Sequence, residues 1–422
     1  MIILKFRFII LTMKRALIII VVLLFTGMAV FAQDTDMSFY FEEYNRTGTS
    51  VFDLLDILVA VKNDNLTGIG DFYHNAIVVF LQRLPNFATA PETVAIQEVS
   101  RLILRGLGAE KHTESAPYVW TLVEYYDVSQ QHNDGFLMHE ALVTMGQIGA
   151  VEYAPHIVTR MDYFSTHETP DIQTRRKLQL GLTGAISALE ALHEPIGVKP
   201  VFFASIGWYD PDIRAIAAAA FPNIMEDPCD IVIELIQNPF NGPSVKLAAW
   251  RAMTGTRAPN SSKAKVAVVT VEMSYTYIAN NREGQSILRE MRMSAVDYFR
   301  TIREINDDAV YAFLERAYRE GFYTNNYDTE IMMLVVKTLT AVATDRAVDI
   351  LTSFLRELHT RRRSGPWGIA ERQLMQYIIP SIGTTGTQSP VAIQLLSTIQ
   401  SSSMYTGAEQ NWARNALRAL AR

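Results

Sequence analysis

One helical pattern recurs along this chain, and it is clearest in residues 210–239, DPDIRAIAAAAFPNIMEDPCDIVIELIQNP. The first half carries apolar residues at steps of three and four, the spacing of one face of an α-helix: Ile213, Ala217, Ala220, Phe221 and Ile224. Pro211 marks the start of this helix. Asp227 and Pro228 then begin a second apolar helix, which Pro239 ends. The stretch therefore predicts a helical hairpin.

The same register returns elsewhere in the sequence. Strong copies contain Val245, Ala249 and Met253, then Leu137, Ala141 and Met145, and then Ile331, Val335 and Leu339. Weaker copies lie near Ile96, Gly181, Ser294, Glu371 and Glu409. Because one hairpin of this size cannot bury its own apolar faces, the copies must pack against each other. We therefore predict an all-α fold in which stacked helical hairpins form an α-solenoid over residues 51–422.

The order of residues in the clearest copy resembles the HEAT repeat. In that family the first helix carries an aliphatic–basic pair, alanines and a leucine–glycine step before an Asp/Pro turn. Here Ile213-Arg214 precedes the alanines, and Asp227-Pro228 follows them, although Pro222 stands where the family usually has glycine. The resemblance implies an α-solenoid, a fold in which a curved surface usually holds another macromolecule.

Within each copy, small and large apolar residues have different expected roles. Ala217 and Ala220 are small enough to let neighbouring helices approach closely, whereas Phe221 and Ile224 are large enough to fill the seam between successive hairpins. The predicted stacking residues are these four together with Ile213, Leu137, Ala141, Met145, Ile331 and Leu339. The resulting surface is long and open, so it suits extended contacts better than it excludes water from a reacting centre.

The amino terminus has the pattern of an export signal. From Met13 the chain has a basic start, an apolar run over residues 16–25, and then Val30 and Ala32 at the spacing that a signal peptidase reads. We expect residues 1–32 to be a signal peptide and the mature protein to begin at Gln33, in the periplasm or outside the cell. The alternative is an uncleaved helix that anchors the chain in the membrane.

Three segments interrupt the repeats. Residues 33–50 are polar with interspersed aromatic residues, so they are expected to be a linker or a partner-binding arm. Residues 266–279 are rich in β-branched side chains and fit a strand or a helix, and the surrounding repeats favour the helix. Residues 359–368, HTRRRSGPWG, are expected to be a loop whose arginines form a solvated turn or contact an acidic partner.

The charge balance bears on the class of partner. The chain has 38 Lys and Arg against 44 Asp and Glu, a formal net charge of −6, and its first 32 residues contribute only basic side chains. The remainder is therefore more acidic still and repels phosphate backbones. Nucleic acid is not expected to be a partner.

Histidine–glutamate pairs provide the alternative of an enzyme. Three pairs occur, at His139-Glu140, His167-Glu168 and His193-Glu194, and they resemble the iron-binding pairs of deoxyhypusine hydroxylase, a metalloenzyme built from HEAT-like repeats. Only His139 lies in the helical register, and a metal site needs ligands that converge from equivalent helix faces. We therefore expect His139 and Glu140 to be solvated surface side chains, and no metal or other cofactor.

The single cysteine is a second candidate for chemistry. Cys229 follows Pro228 at the expected start of a helix, where the helix dipole would favour a thiolate. A small buried cysteine is the more common case. The sequence therefore favours an exported, non-catalytic scaffold or adaptor that binds a protein or an envelope component, with a metal-dependent enzyme on the same scaffold as the alternative.

Overall fold

The computed structural model describes residues 37–46, 50–86, 90–127, 135–302, 308–323, 328–364 and 367–421. Within these ranges the regular elements are α-helices joined by short turns of 3₁₀ helix, and no strand occurs. The predicted all-α class is confirmed. The predicted signal peptide lies outside the described residues.

The chain divides into two compact units at Met225 and Glu226. The helices of the first unit are α1 (37–45), α2 (Val51–Asn63), α3 (Gly70–Arg83), α4 (Ala90–Glu110), α5 (Ala116–Tyr125), α6 (Phe136–Gln147), α7 (Ala154–Thr166), α8 (Ile172–Leu192), α9 (Val198–Ile206) and α10 (Pro211–Ile224). The even-numbered helices α2 to α10 form one row, in which each packs against the next. Helices α3, α5, α7 and α9 each pack against the even helix that follows, which gives a stack of hairpins.

The second unit repeats this arrangement. Its helices are α11 (Cys229–Gln237), α12 (Pro243–Thr254), α13 (Asn260–Thr276), α14 (Arg282–Ile302), α15 (Asp308–Tyr323), α16 (Thr329–Val342), α17 (Asp345–Ser364), α18 (Ile369–Thr385), α19 (Pro390–Ser401) and α20 (Gly407–Leu420). The odd helices form one row and the even helices another, and each odd helix packs against the even helix after it. The β-branched run at residues 266–279 begins in α13, so the preference for helix there is confirmed over residues 266–276.

The sequence copies map onto one class of helix. The strong and weak copies together fall on α4, α6, α8, α10, α12, α14, α16, α18 and α20, all of them even-numbered. The helices that pair as hairpins differ from those that the sequence predicted. Residues 210–239 comprise α10 and α11, but α10 packs against α9, α11 packs against α12, and the boundary between the units falls between α10 and α11.

The ten predicted stacking residues are all buried, with relative exposures of 8% or less. Two copies also repeat one buried hydrogen bond. Thr144 of α6 donates to the carbonyl of Leu104 in α4 over 3.3 Å, and Thr338 of α16 donates to the carbonyl of Val296 in α14 over 3.3 Å. Both threonines lie seven positions after the first apolar residue of their copy, so equivalent positions make equivalent contacts between neighbouring even helices.

Small residues bring the even helices close together. A Cβ atom added to Gly146 in α6 would lie 2.8 Å from the Cα atom of Ala188 in α8. A Cβ atom on Gly383 in α18 would lie 2.8 Å from the Cα atom of Ala416 in α20. Because real Cβ atoms do not approach backbone this closely, the helices would have to separate to admit a larger residue.

The expectation of a linker at residues 33–50 is wrong over the described part. Residues 37–45 form α1, whose Tyr44 is fully buried and packs edge-on against Phe72 of α3. Arg83 donates to the carbonyls of Asn45 and Arg46 and so satisfies the end of this helix. The aromatic residues supply an apolar face that composition alone did not reveal.

The expected loop at residues 359–368 is also wrong over residues 359–364, which continue α17. The guanidinium of Arg362 lies 4.4 Å from the ring centre of Trp367 and 5.8 Å from that of Tyr405, and one of its nitrogens is 3.7 Å from the carboxylate of Glu409. Glu409 is fully buried. Because aromatic rings and a buried carboxylate surround it, Arg362 is a packed residue of the second unit and does not belong to a solvated turn.

Alanine 220 provides a test of the packing. Ala220→Glu should lower the free energy of unfolding by at least about 1 to 3 kcal/mol, because it forces volume and a charge into a buried position. Ala218 is exposed on the same helix, so Ala218→Glu should stay within about 0.5 kcal/mol of wild type. Chemical denaturation of both variants measures the difference. Equal stability of the two would show that Ala220 is not at a packed contact.

Candidate functional site

An open groove lies between α7 and α9 in the first unit. It has a volume of about 490 Å³, within the range of about 300 to 1,000 Å³ that is usual for ligand pockets. Its lining residues are Val158, Met161, Asp162, Ser165, Ile196, Lys199, Pro200, Phe203, Ala204, Gly207, Trp208 and Tyr209. We call this feature the α7–α9 groove.

Apolar side chains dominate the groove and reach its surface. Phe203 of α9 is 42% exposed, and Ile196, in the turn before α9, is exposed as well. Asp162 from α7 and Lys199 from α9 supply one charge of each sign. Exposed apolar side chains grouped around a concavity are typical of a surface that another molecule covers.

Trp208 is held in a fixed position beside the groove. Its indole N–H donates to the carbonyl oxygen of Ser165 over 3.0 Å. The guanidinium carbon of Arg175 lies 5.3 Å from the centre of the indole ring, and Arg175 is also 3.4 Å from the carboxylate of Asp210. The tryptophan therefore has little freedom to lose when a ligand enters the groove.

Tyr209 provides a buried polar group in the wall of the groove. The side chain is only 4% exposed, and its hydroxyl makes no hydrogen bond of ordinary geometry to the described residues. Burial raises the pKa of this hydroxyl to about 12, with Ser165 opposing and Asp162 adding to the shift. Tyr209 is therefore protonated at neutral pH and can donate a hydrogen bond.

The first histidine–glutamate pair belongs to the packing of the even helices. His139 Nδ1 lies 3.2 Å from the carbonyl oxygen of Leu180 and 3.1 Å from the hydroxyl of Thr183, both in α8. Glu140 pairs with Arg105 of α4 over 2.7 Å and with Arg101 of α4 over 3.4 Å. The expectation that both side chains are solvated is wrong, because the pair is shared between the two neighbours of α6.

The other two pairs lie at helix ends. His167 stacks on Tyr163 with ring centres 3.9 Å apart, and His193 ends α8 in a left-handed conformation with its Nδ1 2.8 Å from the carbonyl oxygen of Asn223. The three pairs do not converge. Among the residues that the structure describes, no group of three His, Cys, Asp or Glu side chains is placed to hold a metal ion.

His139 therefore yields a stability prediction. His139→Ala removes a hydrogen bond between α6 and α8, so it should lower the free energy of unfolding by about 0.5 to 1.5 kcal/mol. His167→Ala, at an exposed position in the same unit, should change it by less than about 0.5 kcal/mol. Denaturation curves of the two variants give the comparison, and an unchanged His139→Ala variant would contradict it.

A serine flanked by two histidines escaped the sequence analysis. The hydroxyl of Ser115 lies 2.9 Å from His74 Nδ1 and 3.0 Å from His112 Nδ1, and His112 Nε2 lies 3.2 Å from the carboxylate of Asp71. The residue types match a Ser-His-Asp triad, but Ser115 is fully buried, so no substrate can reach its hydroxyl. The cluster instead ties α3 to the turn before α5. No local motif could reveal it, since the chain separates its members by up to 44 positions.

Cys229 is a buried thiol in surroundings that disfavour the thiolate. Burial raises the pKa of its sulfhydryl group, and the carboxylates of Asp227 and Asp230 raise it further. The sulfur lies 3.5 Å from the carbonyl oxygen of Ser262. The two acids oppose the helix dipole, so the thiolate that the start of a helix would favour is disfavoured here.

His359 confers a dependence on pH. Its Nδ1 is hydrogen-bonded to the hydroxyl of Tyr405, and burial lowers the pKa of the imidazole, with Arg363 lowering it further. The folded state therefore prefers neutral His359. Above the pKa of the unfolded chain the stabilisation is fully present, and it is lost as pH falls through the lowered pKa of the folded state.

This effect can be isolated by substitution. As pH falls from about 7.5 to 5.5, around the usual histidine pKa, wild type should lose more stability than His359→Asn, which keeps a hydrogen-bond acceptor but cannot gain a proton. Denaturation at several pH values measures the difference between the two proteins. Parallel curves would contradict the prediction.

No protein-family model matches this sequence, and no curated protein matches it. Within the described ranges, the helices are either too short or too polar to cross a membrane. The residues and geometry of the groove are therefore the basis on which its function is inferred.

Proposed function

We propose that this chain is an exported, non-catalytic scaffold that binds a protein partner, and that the α7–α9 groove is a contact site for that partner. The stacked hairpins and the resemblance of residues 210–228 to the HEAT repeat support a binding role. The observation that carries the proposal is the groove, with its exposed Phe203 beside the fixed indole of Trp208. Binding energy in protein interfaces is concentrated in such rigid aromatic contacts.

The polar groups of the helices support a non-catalytic role. Glu140 is engaged by two arginines of α4, His139 bonds to α8, and the hydroxyl of Ser115 is buried between two histidines. Each group already has a partner that positions a neighbouring helix. The groove is lined mainly by apolar side chains, with one carboxylate and one ammonium group among them, and this composition suits recognition of a peptide chain better than acid–base chemistry.

Export remains part of the proposal. The basic start, the apolar run and the residues Val30 and Ala32 favour cleavage after Ala32 and a periplasmic or secreted protein. Amino-terminal sequencing of the protein from its native cells should find Gln33 as the first residue. Recovery of the intact terminus from the membrane fraction would favour the anchored alternative.

The binding role can be tested with matched variants. Phe203→Asp places a charge at the groove, whereas Phe39→Asp makes the same change at an exposed position of α1 that does not line the groove. After cross-linking in the native host, tagged wild type and Phe39→Asp should retain the same partner. Phe203→Asp should retain it about tenfold less, as expected for a central aromatic contact.

Quantitative mass spectrometry of the purified material provides the measurement. If the same proteins are cross-linked to wild type and to both variants in equal amounts, the groove is not the contact site. Thermal melts of the three proteins should coincide, because both substituted positions are exposed.

A further inference from the structure

Phe240 is the most exposed large apolar side chain among the described residues of the second unit. It lies in the turn between α11 and α12 and is 95% exposed. The surrounding residues 237–245, QNPFNGPSV, carry no charged side chain. An aromatic ring in this setting can enter an apolar site without taking a charge out of water.

A buried lysine holds this turn in place. Lys246 is fully buried, and its ammonium group donates to the carbonyl oxygen of Ile236 and, over 2.6 Å, to that of Asn238. The ring centre of Tyr277 lies 5.4 Å from the nitrogen. Within the described residues Lys246 has no carboxylate partner, and burial lowers its pKa. A buried ammonium group without a counterion is costly, and its contacts go to the end of α11 and the start of the turn.

Two asparagine side chains also stabilise this turn. The side-chain oxygen of Asn238 accepts from the backbone N–H of Phe240 over 2.9 Å, and the side-chain amide of Asn241 donates to the carbonyl of Leu235 over 2.8 Å. The backbone on both sides of Phe240 is therefore fixed. Because the backbone of this turn is already ordered, the turn loses less conformational entropy on binding than a flexible loop would, which favours Phe240 as an interface anchor.

We propose that Phe240 of one copy of this chain docks in the α7–α9 groove of a second copy. The inference rests on the proposed function of the groove as a site for protein. The groove has apolar walls and space for an aromatic ring, and the Phe240 turn brings no charge into it.

Such a contact joins two different surfaces of identical chains. After one contact forms, one copy still presents its Phe240 and the other still presents its groove. A head-to-tail contact of this type continues into a ring or an open chain of copies. The mass of the assembly should therefore rise with protein concentration, up to the mass of the ring if the contact closes and without a fixed limit if it does not.

Two single variants separate the two surfaces. Phe240→Asp removes the anchor and keeps the groove, and Phe203→Asp impairs the groove and keeps the anchor. Each variant alone should remain monomeric from about 1 to 100 μM, the range in which moderate protein affinities are measured. Wild type and the control Ile369→Asp, which alters another exposed apolar residue of the second unit, should associate alike.

The decisive measurement is an equimolar mixture of the two variants. One intact anchor and one intact groove remain in the mixture, so sedimentation velocity should show a 1:1 complex of twice the monomer mass and nothing larger. Circular dichroism of each variant should match wild type, which excludes misfolding as the cause.

Two outcomes overturn the self-docking. They are a wild type that stays monomeric over the whole range, and a mixture of the two variants that does not associate. If a different envelope protein still requires Phe203 for binding, the proposed function of the groove stands while self-docking fails. If Phe203→Asp affects neither association nor partner binding, both proposals fail.

Discussion

The close contact between neighbouring even-numbered helices is the constraint on which each unit depends. Gly146 in α6 faces the backbone of Ala188 in α8, and Gly383 in α18 faces that of Ala416 in α20, at distances that leave no room for a side chain. Helices that approach this closely bury long apolar faces against each other. A single hairpin cannot do this alone, so each copy of the repeat is stable only beside its neighbours.

Polar contacts make this stacking specific. Arg289 of α14 forms two hydrogen bonds to Asp328 and one to Glu330, at the start of α16. The backbone-directed bonds of Thr144 and Thr338 occur at the same position of two different copies. The close contacts at glycine already restrict how one helix can shift along another, and such directional bonds restrict it further because they are satisfied in one register alone. The polar and charged residues of the even helices thereby select the neighbour and its alignment.

The even helices could be predicted from sequence because each carries its own apolar period. Ala217 and Ala220 fall in that period, and both are buried. Which neighbour α10 pairs with could not be predicted. The connections to α9 and to α11 are both short, and no feature of the sequence distinguishes one neighbour from the other. The same limit applies to His139 and Ser115, whose partners are brought together by the fold across some forty positions of chain.

The groove could not be predicted from sequence either, because it arises from a difference in length between neighbouring helices. Helix α9 has nine residues, whereas α7 has 13 and α10 has 14. At about 1.5 Å per residue, α9 is several ångströms shorter than the helices it packs against. The chain leaves α9 at Ile206 and continues through Gly207 to Trp208 and Tyr209, which line the groove.

Helix α11 also has nine residues and precedes the Phe240 turn. In both units the proposed contact surface therefore lies where an odd-numbered helix ends early. In a strictly regular repeat the groove would be covered. The turn after α11 would also not need a buried lysine to hold it. The residues that depart from the repeat are consequently the ones from which recognition should be expected, while those that follow it maintain the stack.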